Sequence, residues 1–411
     1  MSKQFSVRQN KIALAVMVAF GASFSTSHVL ASEADVLNKI EALQAEIDSL
    51  KAQVAAKPVA APVAVTEGKS ASKDGIEWYG RLDLVAESND DGTAKRTYLQ
   101  NISSRLGLKG QRQLVNGLTG LIQVETGIAP DESSNSKTFA SRNSYLGLQG
   151  DFGTFAAGTY DTPFKKLDEN VSLLWGNADA MEHIIHGKGS QAFGVNFHTR
   201  LVNTFQYWSP KFSGFQVKLA YSPDEQKDTY DGKTASVVNG KTMPVAPAGA
   251  NRSFFGSSVE YNNGIFNVGL ATDAKQDPIL LGKDITATKL LVGVKQNNWT
   301  YGGAYSTIDN NDGLKASNWM VSGQYDMGSV VLKANYGVAG ESKDNAQDGG
   351  KMLGLEADFR LDKATTAYFY YADYRADSKA KGFKFDAGDN STKTAIGKDA
   401  NVLGIGIRYN F

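Results

Sequence analysis

The chain has 411 residues, 43 Lys and Arg against 43 Asp and Glu, 41% hydrophobic and 21% charged residues, and no Cys. This composition excludes a disordered chain and a polytopic helical membrane protein, and the missing Cys excludes a disulfide scaffold, Cys-ligated metal centres and thiol catalysis. Balanced charge gives no basis for nucleic acid as a partner.

The chain opens on a basic segment, Lys3, Arg8 and Lys11, followed by an apolar run from Ile12 to Phe24 and by Val29-Leu30-Ala31. The run is shorter than the about 20 residues a membrane-spanning helix needs. Small residues three and one positions before a cut predict a signal peptide over 1–31, cleaved after Ala31. Residues 32–56 follow, with apolar positions Val36, Ile40, Leu43, Ile47, Leu50 and Val54 spaced alternately by four and three. That is a heptad seam, and it predicts a short periplasmic coiled coil. Residues 57–74 contain Lys57-Pro58 and Pro62 among alanines and valines, a Pro-stiffened linker that ends polar and flexible.

From Gly75 to Phe411 the period is two. Ile76, Trp78, Leu82 and Leu84 oppose Glu77, Tyr79, Arg81 and Asp83; Phe215, Val217, Leu219 and Tyr221 oppose Gln216, Lys218 and Ala220. Trp299, Tyr301 and Tyr305 share one face, and Leu353, Leu355, Ala357 and Phe359 oppose Glu356, Asp358 and Arg360. Sixteen such segments begin near residues 76, 98, 118, 141, 154, 200, 215, 252, 265, 286, 299, 318, 329, 351, 365 and 401. Their connections alternate between short turns, such as Asn262-Asn-Gly264 and Leu361-Asp-Lys-Ala364, and long polar loops, the longest being 161–199. All nine prolines avoid strand centres.

A soluble β-sandwich also alternates, but it turns its apolar face inward. Here the apolar face carries Tyr, Trp and Phe near strand ends, as interfacial girdles do, and the other carries charges in mid-strand that need water. The fold class expected is all-β: a 16-stranded antiparallel transmembrane β-barrel with short periplasmic turns and long extracellular loops, spanning 75–411. The last strand alternates Leu403, Ile405, Ile407, Tyr409 and Phe411 with polar or small residues, an outer face wholly compatible with lipid.

Several stretches resemble the general diffusion porins of Gram-negative bacteria: Tyr79-Gly-Arg-Leu-Asp83, Ser104-Arg-Leu-Gly-Leu-Lys-Gly110, Arg142-Asn-Ser-Tyr-Leu-Gly-Leu-Gln-Gly-Asp-Phe-Gly153 and Tyr207-Trp-Ser-Pro-Lys-Phe-Ser-Gly-Phe215. The N-terminal heptads instead resemble those of substrate-selective porins. The family resemblance implies a homotrimer in the outer membrane, in contact with lipid and lipopolysaccharide. It also implies a terminal assembly signal, Ile407, Tyr409 and Phe411 here, read by the barrel-assembly machinery. Ile and Leu in the seam favour a two-stranded coil, so dimer against trimer stays open there.

The resemblance further implies that the third long loop, about 161–199, folds into the lumen as a constriction. Its carboxylates would be Asp161, Asp168, Glu169, Asp179 and Glu182, with Lys165 and Lys166 near its start. They would face a basic wall of Arg81, Arg105, Arg142 and Arg200. Parity places Arg81, Arg105 and Arg200 in the lumen and leaves Arg142 ambiguous; Lys218 is a further inward cation. The function implied is passive diffusion of small hydrophilic solutes and ions, without catalysis or cofactor. The alternatives are a porin selective for phosphate, a dicarboxylate or a sugar, and a structural or adhesive barrel. Glu182-His183-Ile-Ile-His186 lacks the HExxH spacing, the two Gly-Lys-Thr stretches lack the preceding Gly of a phosphate loop, and no Gly-x-Ser-x-Gly occurs. These features predict neither a metal site nor an enzyme.

Overall fold

A computed structural model describes residues 74–131, 139–168, 170–187, 197–224, 235–238, 241–245, 252–276, 284–309, 315–343, 347–380 and 395–411. The signal peptide, the coiled-coil seam (Val36, Ile40, Leu43, Ile47, Leu50, Val54) and the linker up to residue 73 lie outside these residues, as does Glu169.

The barrel begins with β1 (Gly75–Asp90) and β2, which runs Lys95–Asn101, kinks at positive-φ Ser103, and continues Arg105–Gln113. Both parts of β2 pair with β1, so they count as one strand. Then follow β3 (Thr119–Gly127), β4 (Ser144–Gly150), β5 (Gly153–Asp161), β6 (Arg200–Trp208), β7 (Phe215–Ser222) and β8 (Phe254–Asn262). The second half is β9 (Phe266–Lys275), β10 (Ile285–Gln296), β11 (Trp299–Asp309), β12 (Lys315–Asp326), β13 (Val330–Ala339), β14 (Gly350–Arg360), β15 (Thr365–Ala376) and β16 (Ala400–Asn410). Each strand pairs antiparallel with its neighbour, and β16 returns to β1 in the register Arg81↔Asn410 to Asp90↔Asn401. Gly80 and Phe411 complete the seam by exchanging both backbone hydrogen bonds, at 2.8 and 3.1 Å. Closure leaves no unpaired edge in the hydrocarbon layer, where an unsatisfied amide has no water to turn to.

Sixteen strand starts read from periodicity lie within three residues of those observed. One proline departs from expectation. Pro244 sits inside a small loop hairpin, Ala235–Val238 with Lys241–Val245, where the register slips between Thr242 and Val245 and no regular ladder is required of it.

The two faces of the wall separate as the alternation requires. Trp78, Phe215, Leu219, Tyr301, Leu355, Ile405, Tyr409 and Phe411 are exposed on the outside, while Asp83, Glu87, Lys289 and Arg408 are buried on the inside. The burial inside comes from the connection between β5 and β6. Thr162 caps a single helical turn, α1 (Pro163–Lys166), by accepting a hydrogen bond from the Lys165 N–H. After α1 the chain runs through a 3₁₀ turn at Gly176–Ala178 and a π turn at Met181–Ile185. Phe164, Leu167, Val171, Leu174, Ala178, Met181, Ile184, Ile185 and Phe197 in this loop are all essentially fully buried. They pack on Ala271, Ala287, Leu291, Ile308, Met320, Met352 and Tyr370 of the wall. The lumen therefore contains the hydrophobic core of the molecule, built by the loop against β9–β16.

Candidate constriction site

Loop burial requires a wall that admits backbone, and inward glycines provide it. A Cβ at Gly293 would stand 2.9 Å from Asn170, one at Gly302 2.9 Å from Val171, and one at Gly337 3.0 Å from Ile184. At Gly269 and Gly354 it would collide with Leu167 and with the Ala178 carbonyl. Polar wall side chains then satisfy the loop backbone. Ser322 Oγ donates to the Val171 carbonyl at 2.6 Å, Tyr374 OH to Asn177 at 2.7 Å, Asn335 Nδ2 to Ala178 at 2.8 Å, and Ser306 Oγ to Ile185 at 2.9 Å. Glu356 accepts from the Trp175 N–H at 2.8 Å. The Trp175 ring lies against two guanidiniums, Arg81 at 4.5 Å and Arg408 at 4.6 Å. Each buried loop carbonyl without such a donor would cost about 1–3 kcal/mol, so these bonds fix where the loop lies.

With the loop so placed, a cavity of about 690 Å³ remains between it and β2–β6. Arg105, Arg142 and Arg200 line it from the wall, and Lys165, Asp168, Asp179, Glu182, Trp175 and His198 from the loop, with Asp161 at their junction. Most of the residues singled out in the sequence thus meet in one place.

Their pairing differs from a plain opposition of charges. Asp161 lies on the arginine side, 3.1 Å from Arg200 and 2.8 Å from Lys165. Asn143 bridges the same group, donating to Asp161 at 2.9 Å and accepting from Arg200 Nε at 2.7 Å. Arg142 precedes β4 rather than belonging to it, so strand parity does not govern it; its guanidinium reaches Glu125 at 2.6 Å. Arg105 reaches the same Glu125 at 3.5 Å, and Tyr79 donates to it at 2.9 Å. Glu125 is the main carboxylate among the arginines. Its inward parity was legible, but nothing in sequence pairs it with two cations 17 and 20 residues away.

On the loop, Asp179 accepts from Ser172 Oγ at 2.6 Å and from the Met181 N–H at 2.9 Å. Burial, then the neighbouring Glu182, holds its carboxyl well above the usual carboxylate range. Burial lowers the ammonium of Lys165, and the Asp161 carboxylate opposes that shift. Asp168 stands 3.8 Å from Lys289, and Glu182 3.7 Å from His198.

Three cations fall elsewhere. Lys166 is exposed and does not line the cavity. Lys218 is inward but pairs with Glu260 at 3.1 Å, away from the constriction. Arg81 stacks behind the loop on Trp175 and donates to Asn410 at 2.8 Å. Ile407 and Tyr409 stand opposite Leu84 and Leu82 on the outer seam, with Phe411 beyond them.

A closed sixteen-stranded barrel with an apolar exterior, and a charged lumen narrowed by an inserted loop, is a membrane pore. The chain belongs to the Gram-negative porin family, whose pattern matches residues 52–379. It is 26% identical over 331 residues to the major outer membrane protein P.IB of Neisseria gonorrhoeae, covering 74% of this chain and 87% of that one. Among solved structures it resembles the anion-selective porin from Comamonas acidovorans (TM-score 0.65, 20% identity, 82% of this chain and 100% of that one). It also resembles the trimer form of OmpT from Vibrio cholerae (TM-score 0.61, 17% identity, 82% and 99%). The protein is an outer-membrane porin, a water-filled channel for passive diffusion and not an enzyme.

Proposed function

We propose that this porin passes small hydrophilic solutes with little discrimination, and that its ionic preference is set where the inserted loop meets the arginine wall. The observation that carries the reading is the convergence of Arg105, Arg142, Arg200 and Lys165 with Asp161, Asp168, Asp179 and Glu182 around one cavity. Fixed charges of both signs across a narrow aqueous passage orient water, which penalises apolar solutes, and the balance of signs biases ion flux. Asp161 is already matched by Arg200 and Lys165, and burial disfavours the charged form of Asp179, so the balance favours anions weakly. The likeness to an anion-selective porin agrees with that sign. A pore selective for phosphate, a dicarboxylate or a sugar finds less support, because Lys218 is neutralised by Glu260 and Lys166 does not line the cavity.

The likeness to a trimeric porin supports a homotrimer, which would stand among outer-membrane lipid and lipopolysaccharide. In that reading the N-terminal heptads lie in the periplasm, and the terminal Phe411 strand is the segment read by the assembly machinery. The decisive experiment is single-channel recording in planar bilayers under a KCl gradient. Wild type is expected to show large, unsaturated conductance in three steps with weak anion preference, and Arg142→Glu or Arg200→Glu is expected to reverse that preference. Small conductance blocked by one solute at low concentration would replace this reading with the selective one.

A further inference from the structure

Two histidines of the loop stand ring to ring beside the cavity, and ion passage alone does not require them. His186 Nδ1 lies 3.1 Å from His198 Nδ1. On its far side, His186 Nε2 lies 2.9 Å from Nζ of Lys289, which is fully buried on β10. His198 lines the cavity, and its Nε2 points at Glu182 Oε1, 3.7 Å away.

The donor inventory orders this row. An ammonium only donates, so His186 Nε2 accepts and the His186 proton sits on Nδ1. That proton is donated to His198 Nδ1, which leaves the His198 proton on Nε2, directed at Glu182. Both bonds run one way, from Lys289 to His198, whose Nε2–H then faces Glu182. Both imidazoles are neutral in this arrangement, because a second proton on His198 would set two N–H groups against each other at 3.1 Å.

We propose that His198 is a selectivity-determining residue of the pore, that its protonation neutralises Glu182 at the constriction, and that His186, oriented by Lys289, is the positioning residue that delays this. The inference rests on the constriction reading above. On uptake of one proton from solvent, His198 becomes a two-donor cation. It then loses its bond from His186 and keeps Nε2–H toward Glu182, and the passage becomes more favourable to anions.

Other charged groups bear on the pair. Glu182 and Asp168 of the loop favour the imidazolium, and Asp179 adds to them only where it is ionised. Lys165 on α1, and Lys289 with Lys275 on the wall, oppose it. Asp273 on β9 lies beside these lysines, and Arg142 and Arg200, which also line the cavity, oppose the imidazolium too.

The test is reversal potential in a KCl gradient, measured from pH 8 to pH 5 on the full protein. Wild type is expected to gain anion preference about two- to threefold on acidification, the size of one unit charge about 7 Å from an ion in water. The step should fall on the acid side of a free imidazole, about pH 6.5, because the bond from His186 delays it. His198→Gln should abolish the step while keeping the wild-type folded, heat-modifiable fraction on gels, the sign that the barrel is intact. His186→Phe should keep the step and move it to higher pH, a shift that a merely structural role would not produce.

A step that persists in His198→Gln, or a flat wild-type profile, would overturn the proposal. So would a Zn²⁺ block that vanishes in His198→Gln without any proton-dependent step, since it would make the pair a metal bridge. If Arg142→Glu leaves selectivity unchanged at pH 8, the constriction reading itself fails. If that shift is present and the acid step absent, only the histidine inference fails.

Discussion

Asp179 shows what the inserted loop does to a single side chain. Sequence presents it as one loop carboxylate among five, and the structure buries it against the wall with Glu182 beside it. A carboxyl held up in the folded chain stabilises while protonated. That contribution is lost as pH rises from the unfolded value, about 3.9, through the folded one. Asp179→Asn, which removes the ionisation, is therefore expected to unfold at a higher temperature than wild type in alkaline detergent solution. The advantage should shrink toward pH 5, as thermal unfolding at both ends of that range would show. The arginines were legible by parity because they sit on strands. Arg142 was not, because it precedes β4 and its direction is set by its bond to Glu125.

At the scale of one element, the loop is a buried layer and not a lid. Phe164, Leu167, Val171, Leu174, Ala178, Met181 and Ile185 recur at spacings of three and four, a signal present in the sequence. It predicts an apolar face on a segment whose charges drew notice instead. The receiving surface was not readable, since an inward Gly on a strand looks like any weak strand position until something approaches it. Gly354→Ala is expected to displace the loop near Ala178, costing about 1–3 kcal/mol by overpacking. It should raise single-channel conductance and expose the loop to protease. Gly323→Ala on β12, where a new Cβ meets nothing within 4 Å, should do neither.

For the whole molecule the decisive contact is the seam. β1 and β16 are 325 residues apart in chain position at Asp83 and Arg408, whose side chains meet at 2.7 Å inside the barrel. Phe411 adds the last two backbone bonds and lays its ring over Gly80. Removing Phe411 is expected to destabilise the barrel by about 1–3 kcal/mol, the worth of two hydrogen bonds. The folded, heat-modifiable fraction on gels and the guanidinium midpoint should both fall.

Strand number, strand faces, turn and loop ends and the closing strand were all determined by the sequence itself. The reason is local: a membrane wall must alternate every second residue between lipid and water, and each strand obeys this independently of its partners. The inward path of the loop, the pairing of Glu125 with two arginines, the glycine seat and the His186–His198 contact were decided only by the tertiary structure. The loop path and the glycine seat depend on which strands closure brings face to face across the lumen. Glu125 meets its arginines through the register of adjacent strands, and His186 meets His198 through the turn of the loop; no local period refers to any of these.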